Sequence, residues 1–129
     1  MAHLLIDTDV LIDHLRGLEQ AERFLRERRE SGDLLYSSVI THAELLAGAR
    51  PSEERLLRAL LGSLQVVVID GAVAEQAGLY CRQYRKSHGL LLPDALIAAS
   101  AKSIDAVLVT LNAKHFPMKD ITVLVPYRR

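Results

Sequence analysis

Leu4-Leu5-Ile6-Asp7-Thr8-Asp9-Val10-Leu11-Ile12-Asp13 is the stretch on which the reading of this chain turns. A short apolar run breaks off into an acid, a hydroxyl and a second acid, and apolar residues then return at helical spacing. Residues 3–6 are expected to form a buried strand. Residues 9–16 follow as a short helix that stops at Gly17, with Thr8 or Asp7 as its N-cap. In open parallel α/β sheets, ligands bind beyond the carboxyl ends of the strands. Asp7 stands at such an end.

The same alternation continues along the chain. Over 18–30, Leu18, Ala21, Phe24 and Leu25 make an apolar stripe opposite a charged face, the pattern of a surface helix. Ser31-Gly32-Asp33 is a turn, and Leu34–Val39 reads as a second strand. Thr41-His42-Ala43-Glu44 then opens a helix in the S/T-x-x-E pattern of a capping box, closing near Gly48. Pro51–Ser63 is a helix whose leucines 56, 57, 60, 61 and 64 make a broad face, suited either to the core or in part to a partner chain. Gln65–Ile69 is a third strand, 70–87 a long helix, and Gly89 a break. A helix from Pro93 to about Ser103 leads to strands at Ala106–Val109 and Thr122–Val125, and Arg128-Arg129 is expected to be a loose tail. Strands alternating with helices predict a three-layer α/β fold around a mostly parallel sheet of about five strands, forming one domain over 1–129.

Composition narrows the classes. Sixteen basic and sixteen acidic residues cancel, so attraction to nucleic acid would have to come from a local patch or a metal ion. The single cysteine, Cys81, excludes an internal disulfide and suits a reducing compartment. No apolar run approaches the roughly 18 residues of a membrane span, so the chain is expected to be soluble and cytoplasmic, without a membrane partner.

Crossover helices run antiparallel to the strands, so helix N-termini gather at the carboxyl edge of the sheet. Asp7 ends the first strand, Glu44 falls in the first turn of the helix after the second, and Asp94 in the first turn of the helix before the fourth. Thr110-Leu111-Asn112 leaves the fourth strand at that edge. Singly, each acid has a plain structural explanation, as a cap, a capping-box partner or a charge complementing a helix dipole. Together, their like charges are tolerated in ionised form when a cation sits among them. Mg²⁺, with Mn²⁺ as a substitute, takes oxygen ligands of this kind and supports phosphoryl transfer. Asp9 reads chiefly as a helix-start charge, with a role at the site as the alternative. Arg82, Arg85 and Lys86, with Lys114 and Lys119, are either a solvated surface or a track for a nucleic-acid backbone.

Four motifs in this order resemble the PIN-domain nucleases, and among them the VapC-like toxins of prokaryotic toxin–antitoxin pairs. They are Asp7-Thr8-Asp9-Val10-Leu11 after an apolar strand, Thr41-x-x-Glu44-Leu45, Pro93-Asp94-Ala95-Leu96-Ile97-Ala98-Ala99, and Leu108-Val109-Thr110-Leu111-Asn112 followed by His115-Phe116. The resemblance spans essentially the whole chain. It implies a Rossmann-like PIN fold, a metal-dependent endoribonuclease acting on RNA, a homodimer, and inhibition by a cognate antitoxin. Carried over by position, it makes Asp7 and Asp94 Mg²⁺ ligands and gives Glu44 the attacking water. Thr8, Thr110 and Asn112 would hold the acids or the phosphate. His115 stands where many relatives carry a fourth acid, which favours one tightly held ion over two; its ring is suited to a phosphate contact, to protonating the leaving group, or simply to solvent.

Three other readings compete; one, a PIN fold that survives only as a binding or scaffold domain, is opposed by the presence of all three acids, Asp7, Glu44 and Asp94. A haloacid-dehalogenase-type phosphatase also starts with Asp-x-Asp, but wants Thr or Val where Leu11 stands. A non-enzymatic receiver module would use Asp70 as phosphoacceptor, but wants adjacent acids after strand one and a late Lys-Pro.

Overall fold

Apolar residues alternating on the central strands need cover on both faces, and the helices divide accordingly. The computed structural model describes residues 1–129. Strands β1 (His3–Ile6), β2 (Leu34–Ser38), β3 (Gln65–Val67), β4 (Val107–Val109) and β5 (Val123–Leu124) form one sheet in the order β3-β2-β1-β4-β5. Every pairing is parallel. The helices are α1 (Thr8–Leu15), α2 (Glu19–Glu30), α3 (Val39–Gly48), α4 (Glu54–Gly62), α5 (Gly71–His88) and α6 (Leu92–Ser103).

Leu5 and Leu108 face one side of the sheet and pack with Val73, Ala77 and Tyr80 of α5 and Ile97 and Ala98 of α6. Leu4, Ile6 and Val109 face the other and pack with Val10, Leu11, Leu25, Leu57 and Leu61. This is the two-sided burial that parallel strands require. The chain builds outward from β1 to β3 and then returns to add β4 on the opposite flank of β1. The strand order therefore reverses between β1 and β4, and a crevice opens at their carboxyl ends.

The structure departs from the sequence reading in several places. Helix α3 starts at Val39, with Ser38 as N-cap accepting from Ile40 N at 3.4 Å. Thr41 is thus already inside the first turn and fully buried, so no capping box forms over Thr41–Glu44 and Glu44 lies in the second turn. The physical reason is burial: Ser38 Oγ also meets Ser100 Oγ at 2.9 Å, which fixes the strand's end there. The 51–63 helix begins with a 3₁₀ turn at Pro51–Glu53. Leu57, Leu60, Leu61 and Leu64 enter the chain's own core, leaving only Leu56 of that face exposed. The carboxyl-terminal residues are not loose. Asp13 accepts from Tyr127 Oη at 2.8 Å and from Arg129 Nε and Nη2 at 2.9 and 3.0 Å, while Gln20 Nε2 donates to the Arg128 carbonyl at 2.9 Å.

Candidate active site

The crevice is built on the joint between β1 and β4. Asp7 N continues the ladder to the Val109 carbonyl at 2.8 Å, so the Asp7 side chain is delivered by the sheet itself. Its Oδ1 accepts from Thr8 N at 2.7 Å and caps α1, the role the sequence left open between Asp7 and Thr8. Its Oδ2 accepts from Thr110 Oγ1 at 2.7 Å. Asp7 is 5% exposed and Thr110 fully buried.

Asp9 faces the same joint. Its Oδ2 accepts from Leu111 N and Asn112 Nδ2, both at 3.1 Å, and Asn112 N donates to Thr110 Oγ1 at 3.1 Å. Asp9 therefore staples the segment leaving β4 and is more than a helix-start charge. Its Oδ1 is buried with no hydrogen-bond partner.

Glu44 approaches from α3. Thr8 Oγ1 donates to Glu44 Oε1 at 2.8 Å and lies 3.1 Å from the buried Thr41 Oγ1, so one hydroxyl ties the second acid to the first turn of α1. Asp94 comes from the first turn of α6, and His115 Nδ1 stands 3.5 Å from Asp94 Oδ2. Both remain open to solvent. Asp70 has a structural use outside this joint: its Oδ1 accepts from Val73 N at 2.9 Å as the N-cap of α5.

No cation offsets the charge of Asp7. Desolvation, then the neighbouring Asp9, and more weakly Asp94, push the Asp7 carboxyl from 3.8 up to about 7, against the hydrogen bonds from Thr110 and Thr8. Burial also raises Asp9, opposed by the donors at Leu111 and Thr110. A divalent cation fits such a place: buried carboxylate oxygens, one of them orphaned, and no cation packed against Asp7. No three His, Cys, Asp or Glu side chains are gathered closely enough to cage an ion unaided. That matches Mg²⁺, which keeps several waters and takes only one or two carboxylates.

Sequence reasoning missed two contributors. Thr41, read as a cap, is the buried support behind Thr8. Arg129, read as tail, lies close enough to Asp9 to offset part of its charge. Neither carries a local signal, because both contacts are made across the fold.

The PIN domain family model matches residues 4–120. The chain belongs to the PIN-domain family. Among relatives of this PIN domain, Ribonuclease VapC10 of Mycobacterium tuberculosis is 45% identical over 116 residues, covering 89% of this chain and 86% of the relative. Ribonuclease VapC19 of the same organism is 41% identical over 115 residues, covering 88% and 92%. The PIN domain described here is thus a VapC homologue. It superposes with a TM-score of 0.78 on a toxin–antitoxin complex chain from Klebsiella pneumoniae, at 29% identity over 98% of this chain and 99% of that one. A chain of the DNA-bound VapBC complex from Salmonella typhimurium shares the fold, with a TM-score of 0.81 at 23% identity over 96% and 98% of the two chains. No helix is long and apolar enough to cross a membrane.

Proposed function

We propose that this VapC homologue is a metal-dependent endoribonuclease, the toxin of a toxin–antitoxin pair, and that the joint between β1 and β4 is its active centre. The observation that carries the reading is Asp7: a buried carboxylate at the switch point of the sheet, crowded by Asp9 and Asp94 with no cation packed against it, in a chain of the VapC family.

Asp7 and Asp94 would hold Mg²⁺, or Mn²⁺ in its place, with waters completing the shell. When bound, the ion supplies charge to the phosphodiester and lowers the pKa of a water. The protein's own groups do the remaining work. Thr110 holds Asp7 in one orientation, so its free lone pairs keep a fixed direction. Thr8 holds Glu44, whose second oxygen remains available to orient a water and take its proton. Asn112, fixed on Asp9, and His115, beside Asp94, flank the place where a phosphate would lie. In-line attack by water breaks the bond to the 3′ oxygen, leaving a 5′-phosphate and a 3′-hydroxyl. A single ion suits this set, because His115 adds no negative charge.

The neighbours that are toxin–antitoxin complexes support a cognate antitoxin as the inhibitory partner; a homodimer as the working form and the cytoplasm as the place of action belong to the same proposal and rest on the family resemblance. The test is incubation of purified, antitoxin-free protein with total RNA in Mg²⁺ or in EDTA. Cutting confined to Mg²⁺, with 5′-phosphate ends, is the expected result. Cutting that persists in EDTA, or that leaves 2′,3′-cyclic phosphate, contradicts the mechanism.

A further inference from the structure

Two clusters of basic side chains, on α2 and on α5, differ in how they are paired. On α2, Arg23 pairs with Glu19 at 2.9 Å, Arg26 with Glu22 at 2.6 Å, and Arg28 with Asp33 at 3.4 Å. Those cations are spent on their own helix and its turn. On α5, Arg82, Arg85 and Lys86 are exposed and make no ion pair with any carboxylate. No Asp or Glu occurs between Glu75 and Asp94. The three residues follow the i, i+3, i+4 spacing of one helical face, turned away from the core stripe of Val73, Ala77, Tyr80 and Cys81.

The fold decides where that face lies. Helices α5 and α6 are joined by Gly89–Leu91 only, and Gly89, at φ 65°, supplies the left-handed cap that ends α5. The two form an antiparallel hairpin: Ala72, Val73 and Gln76 at the start of α5 line one cavity with Lys102, Ser103 and Ile104 at the end of α6. The last turns of α5, with Arg82, Arg85 and Lys86, therefore lie alongside the first turn of α6, which carries Asp94. Lys119 is separated from them. Its neighbour Asp120 pairs with Lys102 at the far end of α6, which removes Lys119 from the track that the sequence allowed.

We propose that the carboxyl-terminal face of α5 is the backbone-binding track for a single RNA strand entering the crevice. Arg82, Arg85 and Lys86 contact phosphates of the strand beside the one held at Asp94. The proposal rests on the ribonuclease reading above. A chain with no net charge and an acidic crevice repels RNA at the point of chemistry, so the attraction must come from cations that are unpaired and adjacent. Lys114, between Asn112 and His115, is one such cation, and the helix hairpin adds the three of α5. Helix-dipole complementation accounts for basic residues in the last turn, but not for the absence of acids along the whole face or for Arg82 a turn earlier.

The experiment measures binding of a labelled single-stranded RNA of mixed sequence to the full chain in EDTA, across a salt series, alongside cleavage of total RNA in Mg²⁺. Three proteins are compared: wild type, Arg82→Gln/Arg85→Gln/Lys86→Gln, and Arg23→Gln/Arg26→Gln/Arg28→Gln. Each released single-strand phosphate contact lowers the slope of log affinity against log salt by about 0.7. The α5 variant should lose about 2 from that slope and bind roughly tenfold or more weakly at low salt. The α2 variant should match wild type. Arg85→Gln alone, a single exposed change, should remove about 0.7 of slope. Equal slopes for wild type and the α5 variant, or equal losses in both triple variants, would overturn the track and leave the nuclease reading intact. A wild-type chain that neither binds nor cuts RNA in Mg²⁺ would overturn both.

Discussion

Asp7 carries a buried charge crowded by a second acid, and its consequences are measurable without RNA. Its carboxyl sits at about 7 in the folded chain against 3.8 unperturbed, chiefly because burial disfavours the charge. The metal-free folded state therefore binds this proton more tightly than the unfolded state. Below about pH 4 both states are protonated and Asp7 costs no stability; the cost grows as pH rises toward about 7 and is constant above it. Asp7→Asn removes the ionisation. The gap in Tm between Asp7→Asn and wild type, both metal-free, should widen in favour of the variant from pH 4 to pH 7 and then hold. A gap independent of pH would show that Asp7 ionises as freely in the fold as in water. At this scale Asp7 and Asp94 were legible because strand ends and helix starts are local features. Asp9's bonds to Leu111 and Asn112 were not, because nothing near Asp9 in the chain announces a partner at the end of β4.

Among the elements, α1 is the one most heavily fastened. Asp7 caps its start, Asp9 staples it to the exit of β4, Thr8 links it to α3, and Asp13 receives the carboxyl-terminal residues. Tyr127→Phe deletes one hydrogen bond to the nearly buried Asp13 and should cost about 1 kcal/mol in urea unfolding. Arg129→Ala removes an exposed pairing and should cost less than that, since solvent screens most of its charge. A larger loss from Arg129→Ala than from Tyr127→Phe would contradict this ranking. Two basic residues after a proline read as a tail because terminal segments usually fray; only the folded position of Asp13 provides the anchor. Helix α3 shows the converse difficulty. Ser38 and Thr41 are both competent caps by local chemistry, and the choice falls to Ser38 through its buried contact with Ser100. The three-residue displacement turns the capping-box partner Glu44 into a side chain free to meet Thr8.

At the scale of the whole molecule, the crevice follows from topology. The alternation of strands and helices foretold a mostly parallel sheet of about five strands; the sheet has five, all parallel, and reverses its order between β1 and β4. A parallel sheet with covered faces leaves its carboxyl edge as the one place where strand ends and helix starts meet. Acids that are far apart in the chain are assembled there, while unpaired cations occupy the neighbouring end of α5. The most direct test compares Mg²⁺-dependent RNA cleavage by wild type, Asp94→Asn and Asp120→Asn, all shown to be folded by circular dichroism. Asp120 is an acid of the same chain, paired with Lys102 at the opposite end of α6. The account predicts that Asp94→Asn abolishes cleavage and Asp120→Asn retains it; cutting by Asp94→Asn at the wild-type rate would contradict it.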